Sequence, residues 1–263
     1  MPHNTFLLVL NSAEGVLQIV LGRDDPSGVA LAWDESVPAA SQGAELLTPA
    51  LARGLAATGA EPAGIRRIAC VTGPGSFTGL RLASATAAGL AAATGALSAG
   101  LPLLPVLAAS AAPALEPSDT TVGVLTHARR NLVHVQVFRL RNGILSPLTS
   151  IKVLDPASAL QCIAAVDSRA VVLGSGLSRN PQVQVEAGLR ALGPEFEHPA
   201  PDVLLRAADA LAFGSEPVAP LYVRPSDAEE NLPTLSANLG LDPAEAEAAL
   251  RAFGVDAPDG ERS

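Results

Sequence analysis

The sequence predicts an α/β protein in which one arrangement of strands and helices is used twice. Three observations point there. Short apolar runs of strand length alternate with helical stripes of leucine or alanine, and the order read in the first half recurs in the second. A hydrophobic fraction of 48% with 16% charged residues, in a chain of 263, supplies side chains for substantial cores.

The chain opens with a strand at 5–11 (TFLLVLN), a turn at SAEG and a second strand at 16–22 (VLQIVLG). A DDPSG turn leads into GVALAW, and the three runs read as an antiparallel meander. Residues 44–55 place Leu47, Leu51 and Leu55 at helical spacing, with Leu46 and Ala50 widening the stripe, which predicts an amphipathic helix ending near Gly59. IRRIACV at 65–71 is a strand, the glycine-rich TGPGSFTG follows, and residues 80–94 are a helix. LPLLPV at 101–106 reads as one more short strand.

TVGVLTHARRNLVHVQVF at 121–138 repeats the opening pattern of two apolar strands around a polar turn, with a third strand near 144–148. A helix at 156–166, a strand at 170–174 (AVVLG), the glycine turn GSG and helical material at 182–192 and 201–213 complete the repeat. Turn formers accumulate at 111–119, so the predicted lobes are 1–110 and 111–225, followed by a tail at 226–263. In the tail, Asp242 as cap, Pro243 at the first helical position and Glu245 as the third predict a helix over 241–255, with Ala246, Ala249, Leu250 and Phe253 on its apolar side. A duplicated three-strand meander with crossover helices is the arrangement of the actin, hexokinase and Hsp70 class of folds. From periodicity alone, another two-layer or three-layer α/β domain fits the same order.

Composition excludes several functions. A net charge of -9, from 17 basic and 26 acidic residues, makes a poor general nucleic-acid binder, and 3% aromatic residues offer no platform for stacking bases. Two cysteines in apolar settings, Cys70 and Cys162, build neither a disulfide scaffold nor a cysteine-ligated zinc module. They also lack the neighbouring histidine or CxxC that thiol catalysis uses. The histidines are His3, His127, His134 and His198; none forms HExxH, no pair has helical metal-ligand spacing, and His127 and His134 flank a hairpin. The start of the chain lacks a positive n-region. The apolar stretch at 83–107 is rich in alanine and glycine and contains Pro102 and Pro105, so it reads as a buried helix and strand rather than a membrane span. A soluble cytoplasmic protein is expected.

Gly73, Gly75 and Gly79 lie between strand and helix, where the missing Cβ permits close backbone approach. Ser76 or Thr78 can cap the helix, and the amides of its first turn can hold an anion. The GK[ST] ending of a P-loop is missing, and Ser76 has glycine immediately before it, which does not fit a nucleophile elbow. In the helix that follows, Ala85, Gly89 and Ala93 form one small stripe, Ala83, Ala87 and Ala91 a second, and Leu82 and Leu90 are the sizeable apolar groups of its middle. Two readings stand side by side: an internal helix wedged between sheet and helix, and a helix approached closely by another subunit. The predicted partner interface is Glu45, Leu47, Leu51, Leu55, Ala83, Ala87 and Ala91. The predicted structural loop is Gly73, Gly75, Ser76, Thr78 and Gly79; no catalytic, cofactor-binding or metal-binding residue is predicted.

TGPGSFTGLRLASATAAGLA at 72–91 resembles the signature of the bacterial tRNA threonylcarbamoyladenosine biosynthesis family TsaB, whose members are also described as glycoprotease-like or M22 peptidase-like. The likeness covers about residues 4–230. GAELLTPAL at 43–51 keeps Glu45 of the family's His-Ser-Glu start, with Gly43 and Ala44 in place of the other two. LTHARRNLVHVQVF at 125–138 keeps Ala128 and Arg129 of an Asp-Ala-Arg, with His127 replacing the acid. LYVRPSDAE at 221–229 carries Tyr222, Arg224 and Pro225 of the closing stretch. The resemblance implies a two-lobed actin-like ATPase (ASKHA, ribonuclease H-like) fold and a non-catalytic part in forming threonylcarbamoyladenosine beside the tRNA anticodon. It further implies a heterodimer with a TsaD-like transferase, a larger paralogue with two histidine metal ligands, to which a TsaE-like P-loop ATPase binds. A homodimer when alone, contact with tRNA only through the complex, no cofactor and no peptidase activity complete the expectation. An actin-like ATPase needs an acid at the end of its first strand to position metal and phosphate. Asn11 stands where the family commonly shows Asp, so hydrolysis by this chain alone is not expected. The alternative is a small-molecule kinase or ATPase of the same fold.

Overall fold

A computed structural model describes residues 5–39, 42–115, 119–183, 185, 188–223, 236, 242 and 248. The chain divides into two units, Met1–Leu221 and Tyr222–Ser263. Most of the second unit, including all but Asp242 and Ala248 of the helix expected over 241–255, lies outside the described residues, as do Arg224 and Pro225.

In the first unit, FLLVLN forms β1 (Phe6–Asn11), which is buried at every position. Its run is continuously apolar because both faces are covered. Leu8 and Leu10 face one core, Leu7 and Val9 another. β2 (Val16–Asp25) and β3 (Gly28–Pro38) continue from β1 as an antiparallel meander, and β4 (Ile65–Gly73) and β5 (Leu97–Pro102) run parallel on the other side, giving the order β3-β2-β1-β4-β5. Two helices cover the outer face. α1 (Gly43–Thr58) buries Leu47, Ala50, Leu51 and Gly54 and stops at Gly59, whose left-handed conformation frees its N–H for the carbonyls of Leu55 and Ala56. α2 (Phe77–Thr94) is capped by Ser76, buries Leu80, Ala83 and Ala87, and stops at left-handed Gly95. Asp24, expected at an exposed turn, is instead in β2 and pairs with Arg67 at 2.6 Å.

The second half repeats this plan. β6 (Thr120–Arg129), β7 (Leu132–Arg141) and β8 (Ile144–Pro147) form the meander, and β9 (Lys152–Leu154) adds to β7. β10 (Val171–Leu173) and β11 (Arg190–Ala191) run parallel to β6, in the order β11-β10-β6-β7-β8. α4 (Pro156–Val166) starts on Asp155, whose carboxylate accepts the Ser158 N–H at 3.0 Å, and buries Ala159, Leu160 and Ile163 against Leu125, Val133, Val135 and Val137. Each sheet is thus a three-strand meander whose first strand takes a parallel fourth and fifth, and the whole is a duplicated actin-like α/β fold. Between the sheets lie α3 (Leu103–Ser110) and α6 (Pro201–Asp209), with α5 (Ser175–Ser178) a single turn after β10. Among the described residues no helix is long and apolar enough to cross a membrane.

Two expectations are corrected. LPLLPV was expected as a strand, but the strand ends at Pro102 and residues 103–110 are α3. Pro105 falls in the first turn of that helix, where its missing N–H would have had no partner in any case, so the prolines that suggested an extended run are compatible with a helix start. No helix spans 182–192. Gly188 sits at φ 102°, which a right-handed helix cannot contain, and β11 follows immediately. Val183, Val185 and Leu189 pack on the second-half core from an irregular segment.

Candidate functional site

The loop at 73–79 is pressed against the turn between β1 and β2. A Cβ at Gly75 would stand 2.4 Å from the Ala13 carbonyl oxygen, and one at Gly79 would stand 1.8 Å from the Ser12 carbonyl oxygen. The Ser76 N–H donates to the Ala13 oxygen at 2.6 Å, and the Ser76 hydroxyl accepts the Gly79 N–H at 3.3 Å. Gly73 holds φ 113° at the end of β4. Ser76 and Thr78 are exposed. Backbone meets backbone here, so the glycines set how closely α2 approaches the first strand, and the cap consumes the side chain that the turn offers.

On the other side of that turn, Asn11 is buried and its amide is used at both ends. Its oxygen accepts the Ala13 N–H at 3.1 Å, closing an Asx turn, and its nitrogen donates to Gln18 Oε1 at 2.8 Å. Gln18 in turn donates to the Pro199 carbonyl at 2.9 Å and to the Ser36 hydroxyl at 3.3 Å. The position where a nucleotide-hydrolysing relative needs a free carboxylate is therefore a neutral turn-former in a structural ladder.

The second half has a matching junction, and sequence reasoning did not single it out. Gly174, Ser175 and Gly176 follow β10 as the 73–79 loop follows β4. A Cβ at Gly174 would come 2.3 Å from the Leu125 carbonyl oxygen, so this turn is clamped on β6 as the other is on β1. The Ser175 hydroxyl accepts the His127 N–H at 3.0 Å and donates to Glu14 Oε2, which reaches across from the β1–β2 turn. Glu14 is 8% exposed. Burial pushes its carboxyl up from the ordinary 4.5 to about 7, against the smaller opposing effects of the Ser175 hydroxyl, the Arg179 charge and the His127 N–H, while Glu197 adds to the push. The signals available were a GSG turn in register with GPGS and a lone acid in a short turn between two apolar strands.

The predicted interface residues separate into two groups. Leu47, Leu51, Ala83 and Ala87 face the core between the helices and the first sheet, so the chain itself encloses them. Leu55 and Ala91 are half-buried beside that core, and Glu45 is exposed. The outward stripe of α2 is instead Arg81, Ala85, Gly89, Ala92 and Ala93. His127 and His134 do not converge. Thr126 is paired with His134, so His127, one residue on, points to the opposite face of the sheet. His134 is buried with its Nδ1 3.5 Å from the Thr126 hydroxyl, whereas His127 Nδ1 is buried with no hydrogen-bond partner. Burial lowers the pKa of His127, and Arg179 lowers it further. Among the described residues no three His, Cys, Asp or Glu side chains come together as a metal would need; His3 lies outside them. Cys70 is buried and its thiol is pushed up to about 11 by desolvation.

Fold and junction together define a two-sheet actin-like protein whose inter-sheet junction is occupied by its own side chains. The chain belongs to the TsaD family, described as tRNA N6-adenosine threonylcarbamoyltransferase, whose model matches residues 37–185. Among solved structures it is similar to an uncharacterized protein with similarity to peptidase YeaZ from Pseudomonas aeruginosa, at 23% identity and a TM-score of 0.67 over 84% of this chain and 100% of the other. It is also similar to YeaZ from Pseudomonas aeruginosa, at 20% identity and a TM-score of 0.58 over 92% of this chain and 97% of the other. No curated protein matches. Both likenesses are likenesses of fold, and they extend over most of the chain.

Proposed function

We propose that this chain is a non-catalytic partner of a threonylcarbamoyl transferase in forming threonylcarbamoyladenosine next to the tRNA anticodon. The observation that carries the reading is Asn11. A neutral amide stands at the end of the first strand, and the hairpin uses both its donor and its acceptor, so it offers no charge to a metal-bound phosphate. The partner is a TsaD-like transferase, joined by a TsaE-like P-loop ATPase, and the chain pairs with itself when the transferase is missing. Transfer-RNA contact comes through the complex, since a chain at -9 has little with which to neutralise phosphates. The pairing surface is the outward side of α1 and α2, around Glu45, Ala85 and Gly89, with lobes at 1–110 and 111–225 and a separate tail at 226–263.

Sedimentation of the purified chain with and without its transferase paralogue tests this. The expected result is a homodimer that exchanges for a one-to-one heterodimer, and Gly89→Arg, on an exposed site with open space around it, weakens both without lowering the melting temperature. A chain that stays monomeric and ignores the transferase overturns the reading. Calorimetry with Mg-ATP addresses the kinase or ATPase alternative: micromolar binding with turnover by the isolated chain establishes it in place of the partner role.

A further inference from the structure

The junction between the two sheets holds a buried acid for which the partner role has no use. Glu14 leaves the β1–β2 turn and ends on Ser175, 161 positions away in the chain, and the Ser175 hydroxyl is also the acceptor for the His127 N–H at 3.0 Å. One hydroxyl therefore ties together three segments: the β1–β2 turn, the end of β6 and the turn after β10. We propose that Glu14 is a proton-operated latch: in its neutral form the carboxyl docks on Ser175 and holds the turn at 11–15 against the turn at 174–176, and loss of its proton releases the two turns from each other.

The geometry makes the latch specific. Ser175 cannot follow a departing carboxylate, because the Gly174 and Gly176 backbones on either side of it are packed against Leu125 so closely that a Cβ at either would come within 2.3 and 2.9 Å of Leu125 atoms. The charged and titratable groups acting on Glu14 are His127 from β6, Arg179 just beyond α5, and Glu197 from the segment before α6; His198, next to Glu197, interacts with Glu197 and Arg179. Burial lowers the pKa of both histidines, which disfavours their charged forms, so Arg179 is the fixed cation that offsets a carboxylate which Glu197 repels. An ionised Glu14 is thus poorly compensated in its docked place, and water is the better partner. The docked acid holds its proton up to about pH 7, whereas a released one titrates near 4.5. By linkage the open population climbs with pH across that window and levels off above it. Opening also wets His127 Nδ1, which has no partner in the docked form.

Hydrogen exchange read by mass spectrometry between pH 5.5 and 7.5, corrected for the intrinsic pH dependence of amide exchange, tests the latch. In the wild type the opening constant of peptides covering 11–17, 123–129 and 173–180 is expected to rise roughly twentyfold over that range and then reach a plateau. Glu14→Gln keeps the shape of the side chain and cannot ionise, so its opening constant is expected to be flat. A flat wild type, or a Gln variant with the wild-type slope, overturns the proposal. Arg179→Gln, at an exposed position, provides a second reading: by removing the offsetting cation it should displace the plateau to higher pH, and an unmoved plateau also overturns the latch.

Discussion

Gly79→Ala puts one methyl group where the backbone of the first strand already is. Gly79 is the third residue of α2 and its φ is not positive, so the substitution costs nothing in backbone conformation, and intrinsic helix propensity favours it. The contact decides the outcome. The new Cβ would lie 1.8 Å from the Ser12 carbonyl oxygen, and even a tight 3.0 Å contact requires a retreat of about 1.2 Å. The neighbour is backbone, held by the Asx turn of Asn11 and by the hydrogen bond from Ser76 to Ala13, so α2 and the β1–β2 turn must part and weaken both. Overpacking of this kind costs about 1–3 kcal/mol. For a unit of this size that corresponds to a melting temperature lower by roughly 3–10 °C. The control sits in the same helix: Gly89 is exposed with no atom within 4 Å of its would-be Cβ, so Gly89→Ala should stabilise by about 0.8–1 kcal/mol through propensity alone. Differential scanning fluorimetry followed by urea titration reads both. If the two substitutions shift stability in the same direction, the close approach of loop and turn does not constrain the fold and the reasoning fails.

Glu14 also gives global stability a pH dependence. Its folded pKa of about 7 lies above the unfolded 4.5, so the folded state binds the extra proton and stability is greatest below 4.5, falling as pH rises to 7 by about 3 kcal/mol from this group. Urea midpoints from pH 4.5 to 8 should show that fall in the wild type, and Glu14→Gln should lack it; identical slopes in the two chains would exclude Glu14 as its source. The two thiols should react very differently with an alkylating dye at pH 8. Cys162, half-buried, is expected to label in the native protein, and Cys70, 1% exposed and pushed up to about 11, only after denaturant is added; native labelling of Cys70 in peptide maps would contradict its burial. Ala87→Arg and Ala85→Arg, two residues apart, should separate folding from pairing. The first inserts a charge into the core and is expected to abolish soluble expression, whereas the second should fold with wild-type melting, and equal behaviour would mean that α2 is rotated from the position described.

Where local chemistry decides, the sequence was readable. The leucine spacing at 47, 51 and 55 and the glycine at 59 give α1 and its end, Ser76 was a candidate cap of α2, and the recurrence of the 5–22 pattern at 121–138 foretells the second sheet. The inner side of α2 was not readable. Ala83 and Ala87 differ from Ala85 and Gly89 by almost nothing in size or polarity, so only the position of the neighbouring sheet tells them apart. The interface assigned to the first pair therefore moves outward to the second in the proposal. α3 was hidden for a different reason: proline in an apolar run is equally at home in an extended segment and in the first turn of a helix. The pairing of Glu14 with Ser175 was not readable, because the lone acid of one turn and the GSG of the other are each visible locally but 161 residues separate them and nothing in either turn names its partner.

The two inner helices are exchanged between the halves. α3 comes from the first half of the chain and packs on β6, β7 and β8 as well as on its own β4, while α6 comes after the second sheet and packs on β1, β2, β3 and β5 of the first. Leu204 and Leu205 share one continuous core with Leu7 and Val9 on one side and Val122 and Val124 on the other. During synthesis this imposes a wait. When β5 has left the ribosome the first sheet has all its strands, yet the face that α6 will cover stays open until about a hundred further residues have been added, roughly 5–20 s at ordinary elongation rates. For that interval the nascent chain presents Leu7, Val9 and Val20 as a sticky strip to whatever is nearby, so trigger-type chaperones have their longest claim on this protein between completion of its first sheet and arrival of its last described helix.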